Sequence, residues 1–307
     1  LTQNINMLKQ QAIAIVGPTA SGKTALSIAL AKHFSGEVIS ADSRQVYRKM
    51  DLGTGKVTAA EMDGIAHHLI DIADPATDIY TGADFTSDGA LVLSDITTRG
   101  KLPIIAGGTF FYLELLQGKM QSAPVRPNPE LRTELESKSN EELFEILAAK
   151  DPRCAEVVDR HNPRRLIRAL EIIAALGAVP AIIPVEPTYQ WLTLGIDVPT
   201  KILHERIYKR IIDRLDQGMI KEVQTLHASG VSWERLESFG LEYRYIARYL
   251  QNTINHDEMT TELNTKIRQF AKRQLTWLKR DPNIVWLPFP ADITKAINLT
   301  KKFLNPT

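Results

Sequence analysis

Gly17-Pro-Thr-Ala-Ser-Gly-Lys-Thr24 constrains this chain more than any other stretch of it. The octapeptide fits the pattern G-x-x-x-x-G-K-[ST], and its flanks decide what it can be. Ala12-Ile-Ala-Ile-Val16 precedes it, an apolar and partly β-branched run that predicts a buried strand bounded by Gly17 and Pro18. Ala25, Leu26, Ile28, Ala29 and Leu30 follow and predict a helix from Thr24 onward. A glycine loop between strand and helix wraps main-chain amides around a phosphate at the positive end of the helix. Gly17, Pro18, Thr19, Ala20, Ser21, Gly22, Lys23 and Thr24 are therefore the expected phosphate cradle. Lys23 adds a full charge there, and the Thr24 hydroxyl is a ligand for Mg²⁺.

Two more strands are legible. Glu37-Val-Ile-Ser40 ends just before Asp42, and Leu102-Pro-Ile-Ile-Ala106 ends at Gly107-Gly-Thr109, with a helical stretch, Phe111 to Leu116, beyond it. Strands alternating with helices imply a parallel sheet whose ligands gather at the carboxyl ends of the strands. From about Gln121 the character changes. Pro124, Pro127 and Pro129 punctuate a linker, Glu130 to Leu176 is helical in pattern, and Pro180 to Pro187 closes the segment before Trp191-Leu-Thr-Leu-Gly-Ile196 returns to strand. Lys201 to Arg280 is helical again. The expected fold class is α/β: a P-loop NTPase-like parallel sheet core with a helical insertion domain. The core is expected to occupy residues 1–121 and 189–307, and the insertion residues 122–188.

Composition excludes several classes. At 44% hydrophobic and 24% charged residues, with a polar start from Leu1 to Gln11 and no long apolar run, the chain reads as a soluble, cytoplasmic protein with no membrane contact. The single cysteine, Cys154, rules out a disulfide framework and any multi-cysteine zinc site. Adjacent His67 and His68 point to opposite faces of an extended segment and do not make a metal pair. Charge is uneven under a net +1: residues 1–120 hold 10 Lys/Arg against 12 Asp/Glu, and residues 201–280 hold 15 against 10. Asn264 to Arg280 carries six basic residues and no acid, and helical spacing sets Ile267, Phe270, Ala271, Gln274 and Leu278 on one face. That places an apolar stripe on the core and a cationic face toward a polyanion.

A phosphate loop does not by itself mean ATP. An ATPase of this type ends a neighbouring strand in an acid that holds water and Mg²⁺, whereas here one strand ends in Gly107-Gly-Thr109. The other candidate, Asp42, runs straight into the polar Ser-Arg-Gln-Val-Tyr47. The pattern points to a transferase with a second, polar substrate.

At this point the residues resemble a known family, the tRNA dimethylallyltransferases (tRNA isopentenyltransferases, the IPP transferase family). The resemblance is carried, in the family's order, by the P-loop, Ser40-Ala-Asp-Ser-Arg-Gln-Val-Tyr47, Met50-Asp-Leu-Gly-Thr-Gly-Lys56, His67-His-Leu-Ile-Asp71, Gly107-Gly-Thr109, Asn162-Pro-Arg-Arg-Leu-Ile-Arg-Ala-Leu170 and Ala271-Lys-Arg-Gln-Leu-Thr-Trp-Leu278. It departs from the family at Phe110, where a glycine is common, at His161-Asn-Pro163, and at the longer Gly240-Leu-Glu-Tyr243.

The resemblance implies transfer of a dimethylallyl group from dimethylallyl diphosphate to N6 of the adenosine at position 37, next to the anticodon. The P-loop would hold the diphosphate with Mg²⁺ on Thr24, and Arg210 would be a second clamp. Asp42 would accept the N6 proton, Thr109 would hold the same amine, and Lys23 would stabilise the leaving group. The tRNA anticodon stem-loop would meet Asp42, Ser43, Arg44, Gln45, Thr109, Arg132, Arg164, Arg165, Leu166, Ile167, Arg168, Lys272 and Arg273. A monomer is implied. Three other readings share parts of the pattern: prenylation of free adenine nucleotides, a nucleotide or metabolite kinase, and a non-catalytic RNA-binding module in which Asp42 is dispensable. The first would not need the insertion or the basic helix, and the second predicts ATP turnover.

Overall fold

The computed structural model describes residues 10–181, 183 and 186–306. Most of the polar start, Leu1 to Lys9, and Ile182, Pro184 and Val185 of the proline-rich stretch lie outside these.

Two compact units emerge, one formed by Leu1–Tyr80, Asp84–Gln117 and Pro187–Thr307, the other by Gly118–Glu186 with Thr81–Ala83. The first is built on β1 (Gln10–Val16), α1 (Lys23–Phe34), β2 (Glu37–Ser40), α2 (Ala59–Met62), β3 (His67–His68), α3 (Gly82–Thr98), β4 (Pro103–Ala106) and α4 (Phe110–Leu116). The second holds α5 (Pro129–Glu136), α6 (Asn140–Lys150), α7 (Pro152–Val157) and α8 (Pro163–Leu176). The first then resumes with β5 (Tyr189–Asp197), α9 (Thr200–Asp216), α10 (Met219–Ala228), α11 (Trp233–Ser238), α12 (Leu241–Leu250), α13 (His256–Leu278), β6 (Ile284–Pro288) and α14 (Ile293–Leu304).

Among the described residues six strands form one parallel sheet in the order β3-β2-β4-β1-β5-β6. β1 is central and reads as continuous apolar sequence because both its faces are covered. Ile13, Ile15, Ile104, Leu194 and Ile196 are all essentially inaccessible. Three strand ends, those of β1, β2 and β4, lie side by side at the same edge. Gly107 lets two of them meet: a Cβ there would fall 2.1 Å from the Ala41 carbonyl oxygen, so only glycine fits.

Glu37, at the start of β2, is a buried carboxylate bonded by two cations and a histidine. Arg99 contacts it through two nitrogens at 2.6 and 2.7 Å, Lys101 at 2.6 Å and His68 Nε2 at 2.7 Å. The Arg99 hydrogen bond, with those of Lys101 and His68, outweighs burial and holds the Glu37 carboxyl well below the usual range. His68 is thereby a structural partner, and His67 bonds the Ile65 carbonyl through Nδ1.

The second unit has its own core of Leu135, Leu143, Leu147, Leu166, Ile167 and Leu170. Asn162 caps α8 by accepting the Arg165 N–H, with Pro163 at the first helical position. Glu171, fully buried, accepts Arg132 at 2.7 and 2.9 Å and Arg168 at 3.3 Å. These two arginines are committed to that carboxylate inside the unit. Leu166 and Ile167 are buried too, so the expectation of tRNA contact through their side chains is corrected: the apolar stripe of α8 needs them inside. Arg164 and Arg165, on the turn before them, are exposed.

Candidate active site

The P-loop opens into a cavity of about 490 Å³ shared with Asp42, Gly107-Gly-Thr109, Arg210 and the segment Gly53-Thr-Gly55. Gly22, at the N-cap of α1, has φ 94°, a backbone state that a side chain would strain, so the loop can turn its amides inward. Lys23 Nζ curls back to donate to the carbonyls of Gly17 and Pro18, 2.9 Å each. Thr24 lies exposed beside it. Ser21 Oγ is buried without a hydrogen-bond partner, a polar atom left over inside the cradle.

Three arginines of α9 at four-residue spacing share one face, and two of them meet this loop. Arg206 Nε donates to the Ala20 carbonyl at 2.8 Å, Arg210 donates to Thr19 Oγ1, and Arg214 stands over Gly55, 4.0 Å from Glu242. Burial, then the charge of Arg210, lowers the Lys23 pKa to about 8, with Asp42 opposing. Burial, then Arg214, lowers that of Arg210 to about 10. Cations held this far from water and close to one another mark a site prepared for an anion.

Asp42 does not cap a helix. The residues after it form turns, and its Oδ1 accepts the Arg44 N–H at 2.9 Å, closing a local Asx-type turn. Thr109 sits at the N-cap position of α4 yet makes no capping bond with its side chain. Its Oγ1 instead accepts the Ser43 N–H at 3.0 Å and lies 3.2 Å from Ser43 Oγ, while its own N–H donates to the Ala41 carbonyl at 3.0 Å. The ends of β2 and β4 are thus stitched together with Asp42 between them. Gln45 is used twice, accepting Ser40 Oγ at 3.0 Å and donating to the Gly55 carbonyl at 3.2 Å. Arg44 also lines the cavity, largely desolvated, with its guanidinium 5.9 Å from the Phe239 ring.

Two contributors were not nominated from the sequence. Gln274 of α13 accepts the Thr19 N–H at 2.8 Å and donates to the Gly108 carbonyl at 3.1 Å. A polar residue inside an otherwise apolar stripe was the available signal. Glu222 of α10 accepts the main-chain N–H groups of Asp51, Leu52 and Gly53 at 2.9, 2.6 and 3.0 Å, and the Tyr243 hydroxyl at 2.8 Å. It fixes the cavity wall, but no sequence pattern sets a lone helical glutamate apart.

On α13, Ile267, Ala271, Gln274 and Leu278 are buried as the spacing requires, but Phe270 is 38% exposed. Phe270 lies at the margin of the stripe and lines the cavity mouth rather than the core. Neighbouring Lys272 and Arg273 diverge: Lys272 lines a separate groove with Leu203 and His204 of α9, while the Arg273 guanidinium is 6.0 Å from the Phe270 ring. Among the described residues no cluster of three or more His, Cys, Asp or Glu could hold a metal on its own.

Comparison with known proteins settles the family. The IPP transferase family model matches residues 45–281. The tRNA dimethylallyltransferase 1 of Geotalea daltonii is 44% identical over 284 residues, 91% of each chain. The chain belongs to the IPP transferase family. Its fold is shared with solved members. The tRNA isopentenylpyrophosphate transferase of Bacillus halodurans superposes with a TM-score of 0.71 at 36% identity, covering 96% of both chains. A eukaryotic dimethylallyltransferase, solved acting on tRNA, gives a TM-score of 0.78 at 26% identity over 96% of this chain and 79% of that one. In this member of the IPP transferase family the residues matched by the family model begin at Gln45, just after Asp42 and Arg44.

Proposed function

We propose that this chain transfers the dimethylallyl group of dimethylallyl diphosphate to N6 of the adenosine at position 37 of tRNA, releasing diphosphate. The observation that carries the reading is the single cavity into which the P-loop, Arg210 and Asp42 all open. The diphosphate would rest on the amides of Gly17 to Thr24, with Lys23 and Arg210 neutralising the charge that grows on it as the allylic C–O bond breaks. The electron pair of that bond leaves with the diphosphate oxygen. N6 of adenine forms the new bond to the allylic carbon, and its proton passes to the Asp42 carboxylate. Thr109, tied to Ser43, would keep the amine beside Asp42.

The Thr24 hydroxyl, with the Asp42 carboxylate and Ser43 hydroxyl in the same cavity lining, would supply oxygens that suit Mg²⁺ once phosphate oxygens join them. The ion would add positive charge at the leaving group. For the adenosine to reach Asp42 it must leave its stack. Arg44 at the cavity and Arg273 beside the Phe270 ring, with Arg164, Arg165 and Lys272 elsewhere on the surface, are the proposed phosphate and base contacts. Among the described residues no helix is long and apolar enough to cross a membrane, and we infer a cytoplasmic monomer.

Incubation with labelled dimethylallyl diphosphate, Mg²⁺ and either unmodified tRNA or AMP tests this. Label should pass to tRNA alone. Transfer to AMP at a comparable rate would move the assignment to free nucleotides, and ATP hydrolysis without prenyl transfer would move it to a kinase-like reading.

A further inference from the structure

Two motifs of the sequence, Met50-Asp-Leu-Gly-Thr-Gly-Lys56 and His67-His-Leu-Ile-Asp71, supply no reacting group to the proposed transfer. One side chain nonetheless joins both of them to the motif that carries Asp42. The Lys56 side chain is 5% exposed, and the three hydrogens of its ammonium meet three acceptors. Nζ donates to the Asp51 carboxylate at 2.6 Å, the Asp71 carboxylate at 2.5 Å and the Tyr47 main-chain carbonyl at 2.9 Å. Each acceptor belongs to a different motif.

The three segments also bond to one another around this ammonium. The Asp71 N–H donates to the Gln45 carbonyl at 3.2 Å, those of Ile72 and Ala73 donate to the Val46 carbonyl at 2.8 and 2.9 Å, and Gln45 Nε2 reaches the Gly55 carbonyl at 3.2 Å. Leu69 and Asp71 stand at positive φ, 60° and 56°, without being glycine. Such a turn persists only where its surroundings hold it. From Tyr47 the chain of bonds leads back to the acid: the Tyr47 N–H donates to the Arg44 carbonyl at 3.2 Å, and the Arg44 N–H to Asp42 Oδ1 at 2.9 Å. Asp42, Arg44, Gln45 and Gly53 to Gly55 line the cavity, with Lys56 behind them.

We infer that Lys56 is a positioning residue for prenyl transfer: through Tyr47 and Asp71 it sets where the Asp42 segment stands relative to the phosphate loop. The inference rests on the functional reading above and adds a residue to it. Ion pairs to carboxylates that are 60% and 49% exposed contribute little stability. A methionine would fill the same space, but it cannot hold three acceptors at hydrogen-bond distance from one point. The phosphate loop is bonded by Arg206, Arg210 and Gln274 instead, so donor binding does not depend on Lys56.

Lys56→Met and Asp71→Ala test this in single-turnover transfer to unmodified tRNA with both substrates saturating, beside direct titration of dimethylallyl diphosphate. Each should slow transfer roughly ten- to a hundredfold, the scale for a reacting group displaced by about 1 Å. Donor affinity should stay within about twofold of wild type, which separates the rate from ground-state binding. Asp71→Asn should recover most of the rate lost in Asp71→Ala, because its side-chain oxygen still accepts from Lys56. Lys56→Met and Asp71→Ala combined should be slower than the worse single change by no more than about twofold, since both act on one cluster. A lysine that only stabilises would lower the melting temperature of Lys56→Met and leave the folded protein's rate within about threefold of wild type. That result, or a loss of donor affinity as large as the loss of rate, would overturn the inference. Should Lys56→Met not fold, Asp71→Ala decides alone, and a wild-type rate there sinks it. If the unaltered enzyme transfers no prenyl group to RNA at all, the functional reading fails, and the inference with it.

Discussion

Gln274 accepts the main-chain N–H of Thr19 at 2.8 Å, and its amide nitrogen reaches on to the Gly108 carbonyl at 3.1 Å. One buried side chain from the far end of the sequence thereby fixes the distance between the phosphate loop and the strand end that carries Thr109. Misplacing two reactants by about 1 Å costs on the order of a hundredfold in rate. Gln274→Leu should lower single-turnover prenyl transfer by roughly ten- to a hundredfold with both substrates saturating. It should also cost stability, because two part-buried main-chain groups lose their partners, at most about 1–3 kcal/mol each. Gln274→Glu keeps an acceptor for Thr19 but sets a buried carboxylate against the Gly108 carbonyl, so in urea titrations it should also fall below wild type. Equal stability of all three proteins would mean that the bridge does not hold the two loops.

Asp42→Asn separates chemistry from architecture. The Oδ1 acceptor for Arg44 survives the change, so the turn should persist and both substrates should bind. Loss of the general base should slow single-turnover transfer by roughly 10² to 10⁴. A rate within about threefold of wild type would return Asp42 to a purely structural role.

Lys23 sets an upper pH limit. With its pKa lowered to about 8, the free enzyme loses this cation as pH rises through that value, so kcat/KM for the prenyl donor should fall on the alkaline side. The folded pKa lies below the unfolded one. The unfolded chain therefore binds more protons in the interval between them, and folding stability gains from this group as donor binding weakens. Lys23→Ala should abolish the alkaline limb and cost about 2–4 kcal/mol in transition-state stabilisation. A wild-type profile flat through pH 9 would contradict the assignment.

Glu37 is the acid-sensitive point of the sheet. Its folded pKa is depressed, so its contribution is present above the unfolded carboxyl range and is lost as pH falls through the folded value. Glu37→Gln should destabilise the protein by about 1–3 kcal/mol, the scale of charge-assisted hydrogen bonds to a buried carboxylate with partly exposed partners. It should also flatten the acid limb of stability against pH. An unchanged limb would show that the ion cluster carries no linkage.

The P-loop, the strands flanking it and the return of strand at residue 191 were legible because each is a local pattern: apolar runs, glycine and proline punctuation, and a charge at fixed spacing. β6 and α14 went unread; Ile284–Pro288 is only five residues long and is fixed by pairing with β5, a contact that no local pattern encodes. α3 passed unread for another reason, since Gly82 and Gly89 weaken its helical pattern and only burial of Phe85, Leu93 and Ile96 favours the helix. At the site, Asp42 and Lys23 stood out by type and position. Gln274 and Glu222 act through main-chain groups of distant loops, and Leu166 and Ile167 were nominated by a motif whose apolar members belong to a core.

β1 finds its longest partner late. Gln10 to Val16 pair with Tyr189 to Gly195, about 180 residues further on, and the helices of Gly118–Glu186 with their own core lie in between. At ribosomal rates of roughly 5–20 residues per second, the first strand waits about 10–40 s for that neighbour. The intervening helices, whose contacts are local, can finish folding in that time. A nascent chain stopped before residue 189 would carry a finished helical unit and an apolar strand with one side unpaired, so it should aggregate through that edge, whereas chains released after the C-terminal strands are made should not.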